Sequence, residues 1–128
     1  MLTINSVNWY WQSFVVSSVA FVGVLSVGIN QPILAQVIPD DTLGSEGSVV
    51  TPDLLIREIL SDKIDGGAIR GANLFHSFTE FNVGEGRGVY FANPTGIENI
   101  LSRVTGGNAS HILGRLGVLG EANLFLLN

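Results

Sequence analysis

The stretch Ile100–Asn128 reads ILSRVTGGNASHILGRLGVLGEANLFLLN. Short apolar pieces are separated by Gly and Asn every few residues, and none is long enough for an ordinary helix. The pair Gly106-Gly107 would interrupt a helix badly. Within the pieces the side chains alternate. Ile112, Gly114, Leu116 and Val118 fall on one face of a strand, and Leu113, Arg115, Gly117 and Leu119 on the other. Leu124 and Leu126 alternate in the same way with Asn123, Phe125 and Leu127. Both faces carry apolar residues, so these strands are expected to be well buried or stacked on like neighbours. Many short strands with tight Gly/Asn turns predict an all-β fold, with a solenoid as one form of it.

Upstream the pattern continues. Ala72–Val83 is a Phe-rich strand candidate, with Phe75, Phe81 and Val83 on one parity and Leu74 and Phe78 on the other. Val89, Tyr90 and Phe91 begin the next strand, and Asn93-Pro94-Thr95-Gly96 is a turn before Ile97. Asp62–Gly71 predicts a turn around Asp65-Gly66-Gly67 and then a short strand through Ile69. Ser48–Thr51 reads as a short strand. The local signals over Thr51–Leu60 read as a short helix. Thr51 suits the N-cap, Pro52 the first helical position and Asp53 the positive end of the dipole, while Leu55, Ile59 and Leu60 have helical spacing. Val37–Ser48 is acidic and turn-rich, as a loosely held cap strand would be.

The first residues differ in kind. No Asp, Glu, Lys or Arg precedes Asp40, and every charged residue lies between Asp40 and Glu121. Phe14–Ile29 is a run of apolar and small residues, shorter than the roughly 20 needed to span a bilayer. Pro32 follows it, and Ile33-Leu34-Ala35-Gln36 resembles a cleavage region. This predicts a helical secretory signal peptide over residues 1–35, cut after Ala35 or at the neighbouring Gln36, and one domain over residues 36–128. Met1–Gln12 lacks the usual Lys or Arg and carries Trp9, Tyr10 and Trp11 instead, which implies an upstream start codon or a weak leader, with an uncleaved anchor or a buried helix as the alternatives to a signal peptide.

The 128 residues make one small domain at most, with a net charge of −5 and no cysteine. Scattered basic residues and net negative charge speak against nucleic-acid binding. Absence of Cys excludes disulfides, thiolate metal sites and a Cys nucleophile. Gly84-Glu85-Gly86-Arg87-Gly88 does not match a dinucleotide loop, because its third glycine is one place early and a strand follows, so it reads as a turn. His76 and His111 lack metal-ligand spacing, and Glu80 shares a strand face with His76 without making a site. Ser77 has no nucleophile elbow around it. Asn108-Ala109-Ser110 is a turn. The expectation is a protein with no catalytic, cofactor-binding or metal residues.

Residues 72–128, ANLFHSFTEFNVGEGRGVYFANPTGIENILSRVTGGNASHILGRLGVLGEANLFLLN, resemble the N-terminal secretion (haemagglutination activity) domain of the filamentous haemagglutinin family, in wording close to its cyanobacterial branch. These are the exoproteins of bacterial two-partner secretion. The likeness covers roughly Val37–Asn128, with several blocks in the family's order. It implies a right-handed parallel β-helix (solenoid) with an N-terminal cap, and extended or loop structure over Thr51–Leu60, so that stretch stays open between helix and strand. It also implies export through the inner membrane by the general secretion machinery, then recognition by the POTRA domains of an outer-membrane transporter and passage to the cell surface or medium. The family's Asn-Pro motif falls on Asn93 and Pro94, here followed by Thr95, and implies transporter recognition there. A second such motif would begin at Asn128, where the sequence stops. The domain is therefore expected to be C-terminally incomplete and part of a large haemagglutinin- or adhesin-like exoprotein. A free-standing surface or periplasmic binding module and a β-helix carbohydrate-active enzyme are the alternatives.

Overall fold

The computed structural model describes residues 36–128; the expected signal peptide, Ala35 included, lies outside them. Nine strands occur: β1 Val37–Pro39, β2 Ser48–Ile56, β3 Ile59–Gly66, β4 Ala68–Arg70, β5 Asn73–Phe81, β6 Gly88–Ala92, β7 Asn99–Val104, β8 Arg115–Leu119 and β9 Asn123–Leu127. A single 3₁₀ turn, Gly44–Glu46, interrupts them. The all-β expectation holds.

The strands form two sheets. One runs β1-β5-β7-β9, with β4 also on β5, and the other runs β2-β3-β6-β8. From β5 onward the chain alternates between them, and each circuit adds a strand parallel to the one before. Asn73 pairs with Asn99 and Asn99 with Asn123, and Ile64 pairs with Phe91 and Phe91 with Val118. A parallel bridge between Val83 and Ile112 joins the connections in the same sense. The antiparallel pairings β1–β5, β2–β3 and β4–β5 all lie at the N-terminal end.

The core lies between the sheets. Leu74, Phe78, Phe81, Val83, Phe91 and Ile100 are all but fully buried, and Leu116, Val118, Leu124 and Leu126 extend the same faces. The alternation expected for β8 and β9 is therefore right on the inward side. The outward side is not covered: Phe125 and Leu127 stay about half exposed. Phe78 and Phe81 both point inward although their parities differ. The pairing with β1 skips Thr79, a β-bulge that turns the strand over by one residue. The same bulge separates His76, which is buried, from the half-buried Glu80, so they do not share a face as their spacing suggests.

Thr51–Leu60 is a hairpin, not a helix. Leu55 pairs with Leu60 and Ile56 with Ile59 across a two-residue turn at Arg57-Glu58, both with positive φ (49° and 71°). Helical spacing was a coincidence of two cross-strand pairs. Pro52 and Asp53 drop out of the ladder, and Asp53 is also left-handed (φ 59°). Such a bulge with a proline blunts β2, an edge strand, against stray pairing. The next turn falls at Gly66-Gly67, within the predicted Asp65-Gly66-Gly67, and β3 runs up to it beside β6 through Ile64 and beside β2 through Gly66. On the outer face of the second sheet, Tyr90 fits against Gly88 and Gly117, where any Cβ would meet its ring, and the Arg57 guanidinium lies 5.1 Å over that ring.

Candidate functional site

The turn after β6 is Asn93-Pro94-Thr95-Gly96, with Ile97 N–H donating to Pro94 O (3.1 Å) and Gly96 at φ 86°. Pro94 opens this turn, and Gly96 supplies the left-handed position that such a turn requires. Asn93 does more than turn the chain. Its Nδ2 donates to the carbonyls of Ile97 (3.0 Å) and Pro94 (3.2 Å), and its Oδ1 accepts from Ala122 N–H of the next circuit (2.9 Å). Gly120 lies against this amide so closely that a Cβ there would overlap Asn93 Oδ1. Asn93 is thus half-buried as a clamp between circuits, while Pro94, Thr95 and Gly96 are exposed. A polar surface cleft of about 580 Å³ opens here between the two stacked turns, with Glu98 and Glu121 on its lining.

Asn128 is elsewhere. Its Nδ2 donates to Ser110 Oγ (2.8 Å) and Asn108 O (3.3 Å), near the end of β9, whereas Asn93 sits by its start. The two predicted recognition points are therefore not brought together. Gln36 places its carbonyl on Asn82 N–H (2.8 Å), directly before β1.

Two asparagine devices were not read from the sequence. Asn82 Oδ1 accepts His111 N–H (2.9 Å) with the same 29-residue offset that Asn93 uses toward Ala122. Asn73, Asn99 and Asn123 form a ladder, each later Nδ2 donating to the earlier Oδ1 (3.1 Å in both steps) over 26 and then 24 residues. The signal was present: Ala72-Asn73-Leu74-Phe75 recurs as Ala122-Asn123-Leu124-Phe125, with Glu98-Asn99-Ile100-Leu101 between them. Replacing Asn93 with Ala strands Ala122 N–H and frees two carbonyls. The expected loss is about 2 kcal/mol in urea unfolding, against under about 1 for Pro94→Ala.

Most of the buried polar residues have structural partners. His76 stacks on Phe78 (centroids 6.1 Å apart) and packs at a tilt against Phe91 (5.2 Å), with Nδ1 2.8 Å from Ser48 Oγ. Among the described residues its Nε2 has no hydrogen-bond partner, nor has Ser102 Oγ on the paired strand. Burial pushes the imidazole down to about 4, against a smaller upward pull from Asp65. The unfolded chain therefore takes up the proton first. Stability present above pH 6.5 should fall as pH drops toward 4, by about 3 kcal/mol. Urea midpoints between pH 7 and pH 4 measure this, and His76→Gln should flatten the slope. Asp40 acts lower. Partial burial pushes its carboxyl up, but hydrogen bonds from Thr42, Thr105 and Ser77 outweigh that and hold it at about 2. Its contribution persists above 3.8 and is lost only as pH falls toward 2.

Among the described residues no group of three His, Asp or Glu side chains gathers as metal ligands would. The repeated corners and ladders instead make a stacked scaffold with polar turns on its surface. Residues 35–128 match the family described as the TPS secretion domain, and the chain belongs to it. It is thus a secretion domain of the two-partner type, whose exoproteins leave the cell with an outer-membrane transporter as partner. No curated protein and no solved structure matches the chain.

Proposed function

We propose that residues 36–128 are the opening circuits of a right-handed parallel β-helix with an N-terminal cap, and that they target a haemagglutinin- or adhesin-like exoprotein for export. The observation that carries this is the in-register parallel stacking of β5-β7-β9 and β3-β6-β8 in a chain matched over residues 35–128 by the secretion-domain family. Right-handed crossover is the near-universal sense for parallel strands joined through a second layer. In this reading residues 1–35 are a signal peptide removed after Ala35, and the domain has no catalytic role.

Recognition by the transporter's periplasmic POTRA modules would take place before folding is complete. The ladders close only between residues some two dozen positions apart, so the fold is built from non-local pairings and should form slowly. Extended apolar segments such as Leu124–Leu127 can meanwhile add to a partner's sheet edge, with backbone hydrogen bonds for affinity. The test is capture of the full chain on immobilised POTRA modules, either folded or freshly diluted from urea. The diluted chain should bind at least tenfold better. Equal failure of both states to bind would remove the POTRA step from the account. Asn93→Ala and Pro94→Ala, compared at matched stability, separate a recognition role from the clamp role.

A further inference from the structure

The N-terminal strap Gln36–Glu46 covers the outer edge of β5, and it is held differently from every other strand pairing. None of its residues is buried. Val37 alone packs partly against the core. Its strand is three residues long and pairs Val37 with Phe81, Ile38 with Glu80 and Pro39 with Phe78. What fastens it is polar. The Asp40 carboxylate accepts from Ser77 Oγ (2.8 Å), Thr105 Oγ1 (2.7 Å), Thr42 Oγ1 (2.7 Å) and Thr42 N–H (3.0 Å). The Arg103 guanidinium ties Ser77 and Thr42 into the same cluster (2.9 and 2.8 Å), and Arg70 holds Glu46 through two hydrogen bonds. The latch bonds are exposed or part-buried, so their groups pass to water when the strap opens. Behind Leu43 of the strap lies an apolar cavity of about 440 Å³, lined among others by Phe75, Leu101 and Leu127 with Arg70 and Arg103.

Resting on the export reading above, we propose that the strap is an exchangeable place-holder that docks last and reversibly: while it is off β5, an extended strand of the transporter's periplasmic region takes its position. The strap defines what fits. The incoming strand runs antiparallel to β5 along Phe78–Phe81. It carries a carboxylate at the place of Asp40, where the Ser77 and Thr105 hydroxyls receive it, and an apolar side chain at the place of Leu43. The partner's chemistry is thus an acidic–apolar β-strand, matched to a receiving edge of hydroxyls and guanidinium groups. A strap only three residues wide in the ladder can be displaced by a longer strand making the same bonds and more.

The test uses the lack of cysteine in the chain. Ile38→Cys with Glu80→Cys joins directly opposed residues, whose separation in an antiparallel pair suits a disulfide, and so locks the strap reversibly. The probe is a fluorescein-labelled peptide of residues 36–46. It should bind the reduced double variant and the wild-type chain, fail to bind the oxidised variant, and bind Asp40→Ala at least tenfold tighter because the open fraction rises. Equal binding to the oxidised form, or none to Asp40→Ala, overturns the proposal. So does a concentration-dependent dimer in which straps swap between copies, since the edge then serves a second copy. Export supplies the partner. The locked chain should reach the medium at least tenfold less than its reduced counterpart, and undiminished export of the locked chain overturns the proposal. If the wild-type chain is not exported but the peptide still exchanges, the export reading fails and the exchangeable strap stands.

Discussion

Gly114→Ala should abolish the stable stacking of the last circuit, lowering the unfolding free energy by roughly 3 kcal/mol or more. Gly114 lies where the connection between β7 and β8 crosses the turn below it. A Cβ there would overlap the carbonyl oxygens of Arg87 and Gly84, and would press on Val83. Both oxygens are backbone, so neither can rotate away. Arg87 O accepts Arg115 N–H (2.9 Å) and Gly84 O accepts Arg87 N–H (3.1 Å), so moving the first breaks a bond that fixes β8 beside β6, and moving the second opens the turn that leads into β6. The expected readout is a much lower urea midpoint with early loss of amide protection in Arg115–Leu119. Gly107→Ala is the control, because its Cβ would meet nothing, and it should cost little. A Gly114→Ala chain as stable as wild type would mean that the circuits do not approach as closely as described.

Phe91→Ala should cost about 3–5 kcal/mol. Phe91 is fully buried at the middle of the inner face of β6, stacked on Phe81 (5.9 Å, 9°) and set edge-on to Phe78 (6.4 Å). It pairs with Ile64 on one side and Val118 on the other, so it belongs to the contact of three successive circuits. Removing the ring opens a cavity that rigid sheets close poorly. It also strips one aromatic wall from His76. The imidazole should then be better solvated and its pKa should rise toward 6.5, which NMR titration of the ring protons can follow. Loss of stability without movement of the His76 titration would contradict the view that burial sets it.

Much of the fold could be read from the alternation of apolar side chains with Gly and Asn. Leu116, Val118, Leu124 and Leu126 point inward as their spacing says, and Asn93-Pro94-Thr95-Gly96 turns where its residues say. What could not be read depends on pairing between distant segments. The Thr79 bulge, which brings Phe78 and Phe81 to the same side, is visible only as a skipped partner opposite β1. Arg57-Glu58 gave no turn signal, since neither residue favours the left-handed backbone it adopts; the pairing of Leu55 with Leu60 imposes it. The helix signals of Thr51-Pro52-Asp53 were real local preferences. They now serve a bulged edge, where Pro needs no donor and Asp53 meets Arg87 at 2.8 Å.

The candidate site was half legible. Asn93 and Pro94 are found at an exposed corner, but Asn93 spends its polar atoms on the protein itself. That leaves Pro94, Thr95 and the acidic cleft beside them as the surface a partner could read. The strap was legible as an acidic, turn-rich segment. Its latch was not, because Asp40, Ser77, Arg103 and Thr105 meet only through stacking of separate circuits.

The most direct test of the secretion role is export of the full, epitope-tagged chain from a Gram-negative host, with and without a co-expressed two-partner outer-membrane transporter. The account predicts tagged protein in the medium or on the cell surface only when a matching transporter is present, and in the periplasm when it is absent. Equal release without any transporter, or periplasmic retention beside every transporter of this type tried, would contradict it.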